Sequence, residues 1–255
     1  MSVRDAGILL GVPVDRKSLP AATSDALAAI ERRGPPITFA CANPHSLIVS
    51  QTDPAFKIAL NNASLVVADG IGVTIMARCA GVRVGPRITG TDYFFSVMRA
   101  LQDRGGGDVF FFGSSPAVLA MMADRMRREF PSVSLCGAFS PPYRLWSSEE
   151  NATMLEMINK AKPDVLWVGM TAPKQEKWVE ENRQKLDASV IACVGAVFDF
   201  YAGATPRAPR WMCRLGIEWL HRLLREPRRM WGRTFVSAPK FVALVIWRHL
   251  LGIGE

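Results

Sequence analysis

A carboxylate follows a short apolar run in residues 64–72, which read Ser-Leu-Val-Val-Ala-Asp-Gly-Ile-Gly. The run is typical of a strand buried on both faces of a parallel sheet, and Asp69-Gly70 is a turn signal directly after it. Ligands of open α/β sheets bind beyond the carboxyl ends of the strands, so we expect Asp69 to face a substrate. Gly70 lets backbone or ligand approach closely, and a helix beginning at Ile71 would favour an anion. A plain strand-to-helix turn is the alternative, because Asp-Gly is common in such turns.

Several other predicted strands end at residues that could share a crevice with Asp69. A strand is predicted over Ile37–Ala42, and it runs into Asn43, where the following proline stops the strand. Three later strands end in glycine, which leaves room for backbone to approach a nucleotide; these are Gly113, Gly169 and Gly195. Because parallel strands share one carboxyl edge, these residues are expected along one side of the sheet.

Two predicted helix starts could present polar groups to the same crevice. Gly90-Thr91-Asp92 leads into an amphipathic helix, which Thr91 or Asp92 could cap, or whose first amides could hold a phosphate oxygen. A second helix opens directly after a strand and could offer one ligand a cation, an amide and a carboxylate, from Lys174, Gln175 and Glu176. The alternative at both places is an ordinary capped or polar first turn.

The sequence lacks the patterns of several common classes. There is no Gly-x-Gly-x-x-Gly and no P-loop, which argues against a dehydrogenase or a P-loop enzyme. The five cysteines are widely spaced and show no zinc pattern, so reduced core thiols are expected, without a metal or cofactor. No two aspartates stand two positions apart, so a nucleotide diphosphate would need positive side chains or helix dipoles in place of a metal ion.

The positive charge is concentrated at the C-terminal end. Ten basic and three acidic residues follow position 200, whereas the first 200 residues carry 21 basic and 20 acidic ones. Four of the seven tryptophans also lie in this last part. A nearly neutral body over residues 1–200 and a basic appendage over residues 201–255 are therefore predicted as separate units.

The appendage is predicted to form amphipathic helices with one apolar and one basic face. Its longest apolar run, residues 241–247, is shorter than the roughly 20 residues of a membrane-spanning helix. A peripheral helix pair that binds anionic lipid fits this pattern, and a solvated face or a nucleic-acid patch is the alternative. Arg207 and Arg210 precede the helices, and Arg222, Arg225 and Arg229 share one helix face.

Strands alternate with helices along residues 1–200, beginning with a strand predicted at residues 8–12. This order predicts an α/β fold: a Rossmann-like parallel sheet with helices on both faces, followed by the basic amphipathic helical appendage. Residues 1–15 show no signal for export, so we expect the start of the chain to stay in the cytoplasm.

From about Asn43 to Arg233 the sequence resembles the WecG/TagA/CpsF family of bacterial glycosyltransferases. The blocks that carry the resemblance are Ala42-Asn43-Pro44, Ala68-Asp69-Gly70-Ile71-Gly72, Arg87-Ile88-Thr89-Gly90-Thr91-Asp92, Ala172-Pro173-Lys174-Gln175-Glu176, Trp178, Gly195-Ala196-Val197-Phe198-Asp199-Phe200, Ala202-Gly203, Arg207-Ala208-Pro209-Arg210-Trp211 and Glu218-Trp219-Leu220. One position departs from the family pattern, because Cys41 stands where a threonine is common. A thiol donates hydrogen bonds poorly, so whether Cys41 makes the sugar contact expected of the threonine is an open question.

The resemblance implies an inverting, metal-independent transfer of a sugar from a UDP-sugar donor to a polyprenyl-diphosphate-linked acceptor. It places the enzyme peripherally on the inner face of the plasma membrane, with the appendage meeting an anionic membrane surface and completing the site. The sugar could be N-acetylmannosamine, its uronic acid, or glucose, and a homo-oligomer is left open. A nucleotide-sugar or nucleic-acid binding protein without catalysis is the alternative, although no nucleic-acid partner is expected.

Inversion requires a general base, and Asp69 is the residue we assign to this role. His45 is the nearest rival, but it follows a proline at a predicted helix start. Asp199 lies in a segment better suited to the nucleotide. The three arginines Arg222, Arg225 and Arg229 are predicted to fold over the crevice and stabilise the diphosphate.

Overall fold

The computed structural model describes residues 4–205, 208–209, 212 and 218–250, without the side chains of Arg222, Arg229, His249 and Leu250. Its centre is a six-stranded sheet in which every neighbouring pair is parallel. The strands are β3 (Ile37–Ala42), β4 (Leu65–Ala68), β5 (Gly107–Gly113), β6 (Val133–Phe139), β7 (Val165–Gly169) and β8 (Val190–Cys193). Their order across the sheet is β4-β3-β8-β7-β5-β6.

Helices cover both faces of this sheet. In chain order they are α1 (Leu19–Arg32), α2 (Pro44–Val49), α3 (Pro54–Asn62), α4 (Ile71–Cys79), α5 (Gly90–Asp103), α6 (Pro116–Glu129), α7 (Ser148–Ala161), α8 (Lys174–Asn182) and α9 (Val197–Ala202). Strands β4, β7 and β8 are buried at every position, which explains why they read as continuous apolar runs. The predicted α/β fold with a Rossmann-like parallel sheet is confirmed.

The prediction of a single first strand at residues 8–12 is wrong, because two strands joined by a turn occupy this part of the chain. The structure has an antiparallel hairpin of β1 (Ala6–Leu9) and β2 (Val12–Asp15), which forms its own two-stranded sheet and packs on the main one. Leu10 and Gly11 have φ angles of 54° and 73°, so two left-handed residues reverse the chain in the middle of the apolar run. This is the geometry of a two-residue hairpin turn. An apolar run that continues through such a turn reads from sequence as one strand.

The core is divided by the sheet into two faces. One face packs under α1, α5, α6 and α9 in a single cluster that includes Tyr93 and Trp167. The other face holds two clusters, one under the hairpin, α2, α3 and α4, and one under α7 and α8. Neighbouring residues of one strand point to opposite faces, as Phe39 and Ala40 do.

The C-terminal segment contacts the body through α2. It comprises α10 (Glu218–Arg225), α11 (Pro227–Trp231), a π-helical turn (Gly232–Ser237) and α12 (Ala238–Leu250). Phe241 and Val245 of α12 are buried in the same cluster as Leu47 of α2. Arg248 donates from Nη2 to Oε1 of Gln51 at 3.0 Å. Among the described residues, no helix is long and apolar enough to cross a membrane.

Candidate active site

The chain leaves strands β3 and β8 toward opposite faces of the sheet. Leu47 of α2, which follows β3, packs on one face, whereas Phe198 of α9, which follows β8, packs on the other. Such a point, where the strand order reverses, opens a crevice at the carboxyl edge of the sheet. A cavity of about 510 Å³ lies there, between the ends of β3, β4, β7 and β8.

Most of the residues that the sequence assigned to a site line this cavity. They are Cys41, Asn43, Asp69, Gly70, Gly90, Thr91, Gly169, Gln175, Glu176, Gly195 and Asp199. Four others are described but are not among its lining residues: Asp92, Gly113, Lys174 and Arg225. Arg207 and Arg210 lie outside the described residues, as do the side chains of Arg222 and Arg229.

Asp69 is half-buried at the end of β4. Its N–H donates to the carbonyl of Ala42 at 2.9 Å, which continues the β3–β4 ladder one step beyond the strand and holds Asp69 beside the end of β3. Gly70 follows with a φ of 99°, and a Cβ at this position would meet no atom within 4 Å. The turn therefore has room for a close approach at Gly70, and it places Asp69 at the cavity wall directly before α4.

Asn43 and Ser46 form a reciprocal cap at the start of α2. The Ser46 N–H donates to Asn43 Oδ1 at 2.9 Å, and the Asn43 N–H donates to Ser46 Oγ at 2.7 Å. From sequence, Ser46 is the predicted cap of a helix that begins at Leu47; this prediction is wrong, because α2 begins three residues earlier, at Pro44, and Asn43 is its N-cap. Asn43 thus fixes the helix with its amide oxygen while its side chain lines the cavity.

The cap of α5 also differs from the prediction. Thr89, not Thr91 or Asp92, is the capping residue: Asp92 N–H donates to Thr89 Oγ1 at 3.1 Å, and Thr89 N–H donates to Asp92 Oδ2 at 3.0 Å. Asp92 is thereby occupied in the helix start. Gly90 and Thr91 remain at the cavity wall, where a Cβ on Gly90 would approach the Val194 carbonyl to 3.2 Å.

Gly113 lets the ends of β5 and β7 lie close together beside the cavity. It has a φ of 132°, and a Cβ there would lie 2.5 Å from the carbonyl oxygen of Gly169. Ser114, directly after it, donates from Oγ to Oδ1 of Asp199 at 3.3 Å. This contact ties Asp199, on the cavity wall, to the end of β5.

The three side chains predicted to bind one ligand, Lys174, Gln175 and Glu176, do not share one environment in the first turn of α8. Lys174 is exposed, with Nζ 4.0 Å from the centre of the Trp146 ring. Gln175 and Glu176 are buried and line the cavity. Gln175 Oε1 accepts from the Met170 N–H at 3.2 Å, and Gln175 Nε2 donates to Glu176 Oε1 at 2.8 Å.

Burial changes the ionisation of groups at the cavity wall. It raises the pKa of Glu176 from 4.5 to about 7, although the hydrogen bond from Gln175, a backbone hydrogen bond and the charge of Arg233 oppose this rise. Burial also raises the pKa of the Cys41 thiol, and the charge of Asp69 adds to the effect. The pKa of His45 is lowered by burial and by Arg233. Cys41 and His45 are therefore uncharged at neutral pH, and Glu176 is half-protonated there.

The raised pKa of Glu176 predicts a loss of stability with rising pH. Below about pH 4.5 the carboxyl is neutral in both the folded and the unfolded state. As pH rises to about 7 the carboxyl ionises in the unfolded state but stays largely protonated in the folded state, which lowers the free energy of unfolding by on the order of 3 kcal/mol. Glu176→Gln removes this titration. We expect the variant to unfold at a similar temperature to the wild type near pH 5 and roughly 5–10 °C higher near pH 8.

Thermal unfolding followed by circular dichroism at both pH values measures this difference. Glu181→Gln, on an exposed position of the same helix, is the matched control and should follow the wild type at each pH. An equal offset between Glu176→Gln and the wild type at both pH values would contradict the shifted pKa.

Two arginines that the sequence reasoning did not select also line the cavity. Arg87 lies in the segment held beside β4 by the Ile88 N–H, which donates to the Ala68 carbonyl at 3.0 Å. Arg233 lies in the π-helical turn and reaches the cavity from the C-terminal segment. It stands four positions after Arg229, so extending the predicted arginine face by one helical turn would have found it.

The C-terminal segment forms one wall of the cavity. Its lining residues are Glu218, Trp219, Met230, Arg233, Thr234 and Ala238. His45 joins this wall to α2, because its Nδ1 lies 2.8 Å from Oγ of Ser237. The cavity thus combines two guanidinium groups, Arg87 and Arg233, which can bind an anion, with the carboxylate of Asp69, which can accept a proton. Within the described ranges, no cluster of three metal-binding side chains is found.

Comparison with known proteins shows the family to which the chain belongs. The model of the glycosyl transferase WecG/TagA/CpsF family matches residues 8–253. An N-acetylglucosaminyldiphosphoundecaprenol N-acetyl-beta-D-mannosaminyltransferase of Bacillus spizizenii is 31% identical over 80% of this chain and 77% of its own length. Enzymes of the same name from Bacillus subtilis and Staphylococcus aureus are each 29% identical, over 80% and 79% of this chain and 77% and 76% of their own lengths. The chain therefore belongs to the WecG/TagA/CpsF family and is a glycosyltransferase.

Proposed function

We propose that the protein transfers N-acetylmannosamine from UDP-N-acetylmannosamine to a polyprenyl-diphosphate-linked N-acetylglucosamine, with inversion and without a metal ion. The observation that carries the proposal is the cavity at the strand-order reversal, which Asp69, Arg87 and Arg233 all line. The choice of sugar and acceptor follows the names of the relatives from Bacillus and Staphylococcus.

In the proposed reaction an acceptor hydroxyl attacks the anomeric carbon of the donor sugar from the face opposite UDP. Asp69 takes the proton from this hydroxyl as the new glycosidic bond forms. The bond to UDP breaks with its electron pair, so negative charge develops on the leaving diphosphate. Arg87 and Arg233 stabilise this charge, with helix N-termini at the cavity adding partial positive charge.

The predicted trio Arg222, Arg225 and Arg229 belongs to the same C-terminal segment as Arg233. Arg225 is exposed and is not among the lining residues, so the proposal gives Arg233 the principal role in this segment. The trio keeps a supporting role, in which its charge attracts the anionic donor and the membrane.

Transfer is tested with purified protein, a lipid-linked N-acetylglucosaminyl diphosphate acceptor and three donors: UDP-N-acetylmannosamine, its uronic acid, and UDP-glucose. We expect a β-linked disaccharide with the first donor and release of one UDP per product. Equal or faster transfer from another donor would change the assigned sugar. Binding of UDP-sugar without any transfer would support the non-catalytic alternative.

We further propose that the C-terminal segment attaches the enzyme peripherally to the inner face of the plasma membrane. Large apolar side chains are exposed along it, and basic side chains are exposed beside them at Arg225, Arg228 and Lys240. The apolar set comprises Trp219, Leu224, Trp231, Phe235, Val236, Val242, Ile246 and Trp247. The rings of Trp231 and Phe235 lie 4.5 Å apart, which makes a compact insertion point.

Replacing Trp231 and Phe235 together with serine is expected to lower binding to anionic vesicles by at least tenfold. Each large apolar side chain contributes about 1.5 kcal/mol or more when it leaves water. Flotation with vesicles containing phosphatidylglycerol measures the bound fraction. Tyr143→Ser, a fully exposed aromatic in the β6–α7 loop, is the control and should bind as the wild type does. Unchanged flotation of the double variant would refute this surface as the attachment site.

A further inference from the structure

One oxygen of Glu176 is left without a partner at the wall of the cavity. The side chain is 5% exposed, and Oε1 accepts the hydrogen bond from Gln175 Nε2. Oε2 is buried and makes no hydrogen bond within the part of the chain that the structure describes. Because buried polar atoms are normally paired, such an orphan beside a binding cavity indicates a group that the ligand completes.

The surroundings of Glu176 favour its uncharged form. Cys41 of β3 and Cys193 of β8 face it, and both thiols are neutral because burial raises the pKa of each. The hydrogen bond from Gln175, a backbone hydrogen bond and the charge of Arg233 from the π-helical turn all favour the ionised form, and each effect is smaller than that of burial. Asp69 and Asp92 act on the neighbouring Cys41 in the direction that raises its pKa. A protonated carboxyl has one donor to offer, and Gln175 already fills the acceptor position on Oε1.

We propose that Glu176 binds the nucleotide-sugar as a carboxylic acid, with Oε2–H donating a hydrogen bond to an oxygen atom of the ligand. This inference rests on the proposed function, because it takes the ligand of the cavity to be a UDP-sugar. It assigns to Glu176 the role of a donor, whereas an ionised carboxylate could only accept. Deprotonation removes the donor and places a negative charge beside an anionic ligand.

The consequence is a donor affinity that falls with rising pH. When the protonated form alone binds, the dissociation constant rises about tenfold for each pH unit above the pKa. Glu176→Gln keeps the shape and a donor at the Oε2 position but cannot lose a proton. It therefore separates the proton on Glu176 from other titrating groups at the cavity, His45 among them, which the substitution leaves in place.

The test is the dissociation constant of UDP-N-acetylmannosamine at about pH 6, 7, 8 and 8.5, measured by titration calorimetry without any acceptor. We expect the wild type and the control Glu181→Gln to lose affinity about tenfold or more between pH 7 and 8.5. Glu176→Gln is expected to vary by less than about twofold over the same range. Proton uptake on binding near pH 7.5, read from the dependence of the heat on buffer ionisation, should be present in the wild type and absent in Glu176→Gln.

Two results would overturn the inference while the proposed function stands. One is measurable wild-type binding with the same affinity at every pH. The other is a pH slope in Glu176→Gln as steep as in the wild type, which would move the effect to another group. Absence of UDP-sugar binding by the wild type at every pH would overturn both the inference and the proposed function.

Discussion

Asp69→Asn is expected to lower turnover by about 10² to 10⁴-fold while leaving UDP-sugar affinity within about twofold. The amide has nearly the same shape as the carboxylate but cannot take a proton from the acceptor hydroxyl. The hydrogen bond from the Asp69 N–H to Ala42 belongs to the backbone, so the substitution leaves the turn in place. Initial rates with a lipid-linked acceptor, together with donor binding by calorimetry, measure the two effects separately.

Two companion variants assign the base. Asn43→Ala is expected to raise the KM more than it lowers kcat, because Asn43 caps α2 and positions the cavity wall. His45 is the rival base, since its pKa is lowered and its ring is uncharged at neutral pH. Its Nδ1 is engaged with Ser237, which leaves Nε2 as the nitrogen that could act. Near-normal turnover in Asp69→Asn, combined with an inactive His45→Ala, would transfer the role to His45.

Arg233→Ala is expected to lower kcat by about 10² to 10³-fold, the loss typical when a preorganised group that stabilises developing charge is removed. Arg233 lines the cavity from the C-terminal segment, and Asp69 lines it from the end of β4. Steady-state kinetics with UDP-N-acetylmannosamine measure the effect. Arg233→Lys should recover part of the rate, because a point charge replaces only some of the hydrogen bonds of a guanidinium.

Arg225→Ala is the matched control for Arg233→Ala, because Arg225 is exposed on the same segment and does not line the cavity. Its expected effect is less than about threefold, as for a screened surface charge. A loss as large as that of Arg233→Ala would return the principal role to the predicted arginines Arg222, Arg225 and Arg229.

Transfer activity should persist in excess EDTA, because the proposed stabilisation of the leaving diphosphate needs no metal ion. Activity that EDTA abolishes and magnesium restores would contradict charge stabilisation by arginine alone.

The parts of the fold that sequence predicts well are those governed by local patterns. Runs such as Leu65–Ala68 are buried on both faces, and a glycine or Asp-Gly directly after a run marks the strand end. These signals place Asp69, Gly169 and Gly195 at one edge of the sheet, and the cavity contains all three. The prediction of one strand at residues 8–12 failed because nothing in the sequence distinguishes Leu10, which has a left-handed backbone, from a residue within a strand.

The remaining features of the site depend on tertiary contacts. Arg233 reaches the cavity because Phe241 and Val245 anchor the following helix on α2, a contact between segments almost 200 residues apart. The ionisation of Glu176 is set by burial, which no spacing in the sequence predicts. Thr89 and Asp92 illustrate a smaller failure: a reciprocal cap was visible in the sequence, but its first member lies two residues before the predicted one.

The π-helical turn also limits how the length of this segment can change. At its end the Ala238 N–H donates to the carbonyl of Arg233, five residues earlier, so the turn holds one residue more than an α-helix would. Deleting one residue within this turn would restore ordinary α-helical spacing, and the preceding side chains, Met230 among them, would keep about the same direction relative to α12, because the wider turn takes its extra residue within about the same rotation. A deletion in the regular helix that follows would instead rotate the two sides against each other by about 100°. In alignments of related chains, a one-residue gap at this turn is therefore compatible with the same cavity wall, whereas a one-residue gap within α12 is not.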